Sequence, residues 1–283
     1  MISNLLVFLF ENPASKSVIR LLLRVCRPKK DVKIKVAGQI IFASTFDRVV
    51  SLYLKKFFLT ESPETEFFKY FVKKGMRVID IGANLGYYAL IAAGLVGQEG
   101  EVFAFEPDVE NFRLLQKNIA ENNYQNIEAV NQAVSDKTGK LRLFLSEENR
   151  GDHRIYNSDK NRQSVEILAV SLDDFFQDRP IDLVKIDVEG AENAVFSGMQ
   201  NIIKNNPQLG IMMEFWPHGL KMAGVSPDDF LRRIRGAGFS IHLIKRKPEL
   251  IDDKNLLRTC RGRNYINIFL RKNMNPVRNK PTG

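Results

Sequence analysis

Acids stand at the ends of several apolar runs, a placement that suits them to ligand chemistry. Asp80 closes residues 78–80, Glu106 follows 102–105, Asp187 follows 181–186 with Glu189 close behind, and Glu214 ends 209–214. In a parallel sheet, ligands occupy the crevice beyond the carboxyl ends of the strands, so these five carboxylates are expected to face one crevice. Carboxylates there can accept hydrogen bonds from ribose or acceptor hydroxyls, and one can take a proton as general base.

The segment 78–86, Val-Ile-Asp-Ile-Gly-Ala-Asn-Leu-Gly, reads as strand and tight turn, and 87–93 continues as helix. Glycines at 82 and 86 are expected to let the backbone approach a ligand where a Cβ would collide. Glu106, ending the next strand, falls where such folds hold ribose hydroxyls. Three adenosine-type ligands compete. A dinucleotide wants Gly-x-Gly-x-x-Gly, but Asn84 stands where the second glycine belongs. A P-loop needs a Gly-Lys-Ser/Thr ending, which Leu85-Gly86-Tyr87 does not supply. S-adenosylmethionine has ribose and adenine without phosphate, so turn amides, Asp80 and Glu106 suffice, and this reading fits best. The bland alternative, a glycine-rich turn without a ligand, is disfavoured by the spacing of Glu106.

Methyl transfer from a sulfonium requires nucleophile, methyl and sulfur in line, and a hydroxyl nucleophile gains from a positioned base. Asp187 and Glu189 are the first candidates for that base. His153 is the second, one of three histidines and placed in the polar stretch 146–164; His218 is weaker. Glu214 is assigned to the substrate. Carboxylates 187, 189, 192 and 214 could instead gather a divalent cation, but spacing fixes no ligand geometry and no metal is assigned. Enzymes that methylate planar nitrogens share an Asp/Asn-Pro-Pro-Tyr/Phe segment after the fourth strand. No Pro-Pro occurs here; Lys185-Ile-Asp-Val-Glu-Gly-Ala-Glu192 stands instead and favours an oxygen acceptor.

The positioning elements follow from periodicity. Residues 31–36 and 39–44 predict a β-hairpin, and 64–74 a helix with apolar positions 67, 68, 71 and 72. Beyond the first two core strands come a helix at 111–122 and strands at 127–134, 141–145 and 165–170. Strand 181–186, helix 195–204, strand 209–215, a helix opened by Ser226-Pro227, and strands 239–244 and 265–270 follow. The unpatterned insertion 146–164 is the expected substrate loop.

A chain of 283 residues can bury one α/β core with an extension. Cys26 and Cys260 sit at opposite ends with no Cys/His cluster, which suits a reducing compartment and argues against structural zinc. The net charge of +9 resides at the ends: residues 16–35 carry eight Lys/Arg against one acid, and 245–283 eleven against three. The remaining 36–244 is acidic, at −5, which does not support a basic cleft for nucleic acid. The alternatives kept open are a nucleic-acid methyltransferase clamping with its basic ends, and a non-catalytic cofactor-binding protein at a membrane. Residues 1–60 are expected to form a basic, apolar extension containing the hairpin, with peripheral membrane contact through 1–35 as an option. Residues 61–271 would form the catalytic domain and 272–283 a disordered tail, in a cytoplasmic protein.

Together these residues resemble the FkbM family of class I S-adenosylmethionine-dependent methyltransferases over about residues 63–270. The likeness rests on 78–88, on Ala104-Phe105-Glu106-Pro107 with Asn111 following, on Ala133-Val134-Ser135-Asp136, on Ser171-Leu172-Asp173-Asp174 and on 185–192. It implies a Rossmann-like α/β fold, a seven-stranded, mostly parallel sheet flanked by helices with an antiparallel last strand. It also implies O-methylation of sugars or natural-product hydroxyls. By that resemblance Asp80, Gly82, Asn84, Gly86 and Glu106 line the cofactor, Gln132 and Ala133 flank adenine, and Asp187 and Glu189 border the transfer site.

Overall fold

The computed structural model describes residues 31–44, 62–146, 150–157, 162–245 and 248–272. The expectations placed on 1–30, including the membrane contact, and on the tail beyond 272 lie outside the described residues. Among the described residues no helix is long and apolar enough to cross a membrane.

The expected hairpin forms as β1 (Val32–Val36) and β2 (Gln39–Ala43), paired antiparallel. Its outer backbone is satisfied by two asparagines acting as strand substitutes. Asn118 Oδ1 accepts from Phe42 N–H (2.6 Å), and Asn122 Oδ1 accepts from Ile40 N–H (2.8 Å). The helix predicted at 64–74 is α1 (Pro63–Phe71), started by a Ser62 cap and proline in its first turn.

β3 (Arg77–Ile81) leads into α2 (Tyr87–Val96), which is apolar all round and buried. β4 (Glu101–Phe105) follows, then α3 (Val109–Glu121), capped by Asp108. The single strand expected at 127–134 is two: β5 (Ile127–Val130) and β6 (Ala133–Val134). Between them Asn131 Nδ2 donates to the carbonyls of Glu106 (2.8 Å) and Pro107 (3.2 Å), so the chain turns away from the main sheet. β6 joins β7 (Gly139–Phe144) and β8 (Ser164–Val170) in a separate three-stranded sheet.

After α4 (Leu172–Phe176) and β9 (Leu183–Ile186), the helix predicted at 195–204 breaks into α5 (Glu192–Ser197) and α6 (Gln200–Asn205). Gly198 lies directly on the Ser135 carbonyl, and the Asp173 carboxylate accepts from Asn201 and Ile202 N–H (2.9 and 3.0 Å), starting a second helix there. β10 (Gly210–Phe215), α7 (Pro217–Met222), the amphipathic α8 (Pro227–Gly236), β11 (Phe239–Leu243), β12 (Glu249–Leu250), α9 (Asp253–Thr259) and β13 (Ile266–Lys272) follow among the described residues.

The main sheet has the order β12-β11-β13-β10-β9-β3-β4-β5. β10, β9, β3, β4 and β5 are parallel neighbours, and β13 runs antiparallel to both β10 and β11. This is the expected sheet with its antiparallel last strand; the two-residue β12 adds an eighth strand. Alternation sorts the side chains. Ile79, Ile81, Phe103, Phe105, Val184 and Ile186 enter one core, whereas Val78, Val102, Ala104, Leu183 and Met212 enter the other, with α1 and α2.

Candidate active site

Contacts inside the chain shape the turn after β3. Gly82 and Ala83 N–H donate to the Phe105 carbonyl (3.0 and 2.9 Å). Gly82 has φ +74°, and a Cβ there would fall on the Asp187 carbonyl oxygen. Gly86, at φ +88°, opens α2, and a Cβ there would stand 2.6 Å from Leu115 Cδ1. The sequence reading assigned both glycines to ligand approach. In the structure, the space a side chain would need at each is taken by neighbouring protein, and Gly82 also lines the cleft.

A cleft opens at the carboxyl ends of β3, β4 and β9. Of the residues expected there, Gly82, Asn84, Glu106, Gln132, Ala133, His153, Asp187 and Glu189 line it; Asp80, Gly86 and Glu214 do not. Glu106 is 5% exposed, and its two oxygens accept from Asp108 N–H (2.9 Å) and Asn84 N–H (2.8 Å). Burial nevertheless pushes its carboxyl up to about 7. Asn84 Oδ1 and Asn111 Oδ1 are buried acceptors without a partner on this wall. Such orphans call for donors from a ligand, and ribose hydroxyls or adenine and ammonium N–H groups fit them. Asn111 was quoted only as part of the motif after Glu106; its place on the helix turn capped by Asp108 is what brings it to the cleft.

Asp80 lies on the other side of the sheet. It is the register partner of Lys185, shares that residue's face, and its Oδ1 is 3.5 Å from Lys185 Nζ. The Lys185 ammonium also donates to Asp187 Oδ2 (3.2 Å) and sits 4.8 Å from the centre of the Tyr88 ring. Burial alone would lower the ammonium's pKa, but Asp187 and Asp80 outweigh it and keep Lys185 charged. Asp80 thus stands behind Lys185 and is not on the cleft wall. Period-two alternation decides this: Ile81, not Asp80, is the β3 side chain on the cleft wall.

His153 also departs from its expected part. Its Nδ1 accepts from Ser146 N–H (2.9 Å), which places the proton on Nε2, and Nε2 faces Asp108 Oδ2 at 3.5 Å. Both nitrogens are engaged, so the ring supports the wall and offers no free base. Burial would raise Asp108, but hydrogen bonds from His153 and Asn111 N–H hold its carboxyl below the usual range.

The carboxylates after β9 and at the end of β10 do converge. Asp187, Glu189 and Glu214 each place an oxygen within 4.8 Å of the others. Asp187 and Glu189 also line the cleft, so the two regions share a wall. Glu189 adopts φ +53°, a strained conformation for a residue with a side chain, and Tyr156 Oη donates to its carbonyl (2.6 Å). Burial, then repulsion from Asp187, raises Glu189 to about 8 and Glu214 to about 10. Glu192 is fully buried; its Oε1 accepts from Gly190 N–H (2.9 Å), and its Oε2 has no partner. Tyr156, missed by residue-level reading, lies in the stretch 146–164 that reads as the substrate loop. The His218 ring lies 5.7 Å from that of Trp216 and is not on the cleft wall.

A parallel centre and an antiparallel β13 between β10 and β11 make this a class I methyltransferase fold. The chain belongs to the Methyltransferase FkbM domain family, which matches residues 80–241. That family consists of S-adenosylmethionine-dependent methyltransferases, so this cofactor is the methyl donor it implies.

Among curated proteins, "Methyltransferase 1" of Beauveria bassiana is 25% identical over 146 residues, 44% of this chain and 58% of its own length. The "Hexuronic acid methyltransferase AglP" of Haloferax volcanii is 25% identical over 170 residues, 59% of this chain and 64% of its own length. The chain thus spans about three fifths of each. A solved S-adenosylmethionine-dependent O-methyltransferase of Thermotoga maritima superimposes with a TM-score of 0.46 and 14% identity, covering 90% of this chain and 82% of that one. That likeness is too distant to carry an argument.

Proposed function

We propose that this chain transfers the methyl group of S-adenosylmethionine to a hydroxyl of a saccharide or related small metabolite. One observation carries the reading: Asp187 and Glu189 belong both to the wall of the Glu106 cleft and to the acid cluster with Glu214. When bound, the cofactor supplies an electrophilic methyl on a sulfonium. Glu106 would accept the ribose hydroxyls, Asn84 and Asn111 would accept donors of the nucleoside, and Gln132 and Ala133 would flank its base. Asp187 and Glu189 would orient the acceptor hydroxyl and remove its proton. The relative named for a hexuronic acid supports a saccharide acceptor in kind.

Calorimetric titration with S-adenosylhomocysteine tests the cofactor half. Glu106→Ala is expected to weaken binding about tenfold or more through lost charge-assisted hydrogen bonds; unchanged affinity would remove the assignment. Ligand hydroxyls favour the ionised carboxylate, so wild-type affinity should rise as pH passes upward through about 7.

Stability should run the other way. Glu106 holds its proton to about 7 when folded, against 4.5 as its reference. The contribution is full below 4.5 and lost as pH rises through 7, at most about 3 kcal/mol. Urea melts of ligand-free protein should therefore show the margin of wild type over Glu106→Gln shrinking across that window. A constant margin would contradict the burial-dominated shift.

A further inference from the structure

Glu189 and Gly190 occupy the two central places of a tight turn closed by Ala191 N–H on the Val188 carbonyl (3.2 Å), and both have positive φ, +53° and +100°. Two positive φ values in succession favour Asn-Gly, because most side chains at the first place are strained. Here that place holds a glutamate that lines the cleft, so the strain falls on a residue of the site itself. The peptide between the two residues is held at both ends. Tyr156 Oη donates to the Glu189 carbonyl (2.6 Å), and Gly190 N–H donates to Glu192 Oε1 (2.9 Å). Tyr156 Oη also fills the space beside Gly190, where a Cβ would stand 2.5 Å from it and 2.8 Å from the Gly219 carbonyl carbon. That peptide cannot rotate without breaking one bond or the other.

We propose that Tyr156 is a positioning residue: by clamping the Glu189–Gly190 peptide it holds the Glu189 carboxylate where the cleft meets the acid cluster, a role that rests on the transfer reaction proposed above. Tyr156 is not on the cleft wall, so it acts through Glu189. A clamp needs a fixed base, and the segment carrying Tyr156 has one. Arg154 exchanges two backbone hydrogen bonds with Phe144 at the end of β7 (2.7 and 3.1 Å). Its guanidinium pairs with Asp152 and lies 4.9 Å from the centre of the Trp216 ring. Towards the Glu106 side of the cleft, the Arg150 carbonyl accepts from Asn111 Nδ2 (3.3 Å), and Arg150 and His153 both reach Asp108 (3.3 and 3.5 Å). Residues 150–156 therefore join the wall that carries Asn111 to the turn that carries Glu189. Burial pushes the Tyr156 phenol up to about 12, which keeps it a donor.

Tyr156→Phe removes the hydroxyl and leaves the ring, and two measurements on the full chain read the result. Hydrogen exchange at the amides of Gly190 and Ala191 should quicken by about fivefold or more, because the Glu189 carbonyl loses its donor. Methyl incorporation into a panel of methyl glycopyranosides should show kcat lower by about tenfold or more, with acceptor KM and S-adenosylhomocysteine affinity within about threefold of wild type. A double-mutant cycle separates positioning from a structural role. In a Glu189→Gln background, removing the hydroxyl should cost less than about twofold more in kcat, since the carboxylate it positions is already gone. Unchanged exchange, unchanged kcat, or losses that multiply in the double variant overturn the proposal. A parallel fall in turnover and S-adenosylhomocysteine affinity does so too, since it would make Tyr156 a general support of the fold. Faster exchange in the variant, with no glycoside methylated by wild type, would keep the clamp and sink the saccharide reading instead.

Discussion

Asp187→Asn is expected to lower methyl transfer to a hydroxyl acceptor by about 10²–10⁴-fold, the range typical of removing a positioned general base or its equivalent. Cofactor affinity should change little, because the proposed nucleoside contacts are Glu106, Asn84 and Asn111. Asp187 sits where the two regions join. It lines the cleft, its side chain is 43% exposed, and it stands within reach of Glu189 and Glu214. Asparagine keeps the size and can still accept from Lys185, whose ammonium also retains Asp80, so the fold should persist. Single-turnover methyl incorporation from labelled S-adenosylmethionine into a saccharide panel measures the first part; calorimetry with S-adenosylhomocysteine measures the second. A variant that turns over normally but binds cofactor poorly would make Asp187 a binding residue and remove it from the chemistry.

Gly82→Ala is expected to cost more than about 4 kcal/mol, beyond what most single substitutions cause. Two penalties add. The backbone at φ +74° disfavours any Cβ, and the added methyl would occupy the position of the Asp187 carbonyl oxygen. Neither partner can yield freely: Gly82 N–H is bonded to Phe105 O, and Asp187 N–H to Ile81 O (3.1 Å). Gly38→Ala separates the two effects, since Gly38 has φ +82° but open space around it. It should lose only the backbone part, about 1–2 kcal/mol. Urea denaturation of both variants decides. Equal losses would mean that the contact between the turn and the end of β9 is not what requires glycine.

That contact also explains where residue-level reading falls short. From spacing alone a glycine-punctuated turn after a strand invites a ligand, because ligand approach and chain approach place the same demand on a residue. Asp80 poses a related problem. It is the most conspicuous acid in the motif, yet alternation sends it to the α2 face with Lys185. Glu106, one step past its strand, escapes the alternation and reaches the cleft. His153 looks available as a loop histidine until Ser146 and Asp108 are seen to occupy both ring nitrogens. Elements were easier to read than boundaries: the breaks at Asn131 and Gly198 depend on partners 25 and 63 residues away in sequence, Glu106 and Ser135.

What the sequence alone determined is most of the strands and helices and their order, the glycine turn after β3, the acid Glu106 after β4 and the acids at the ends of the later strands. These are local: apolar runs, turn chemistry and strand ends follow from neighbours along the chain. Only the tertiary structure decided which carboxylates meet. Asp187, Glu189 and Glu214 converge because β9 and β10 are adjacent and in register, and Asp80 is withdrawn because one residue of alternation reverses a side chain's face. Pairing and register are long-range choices, made by burial across the whole sheet.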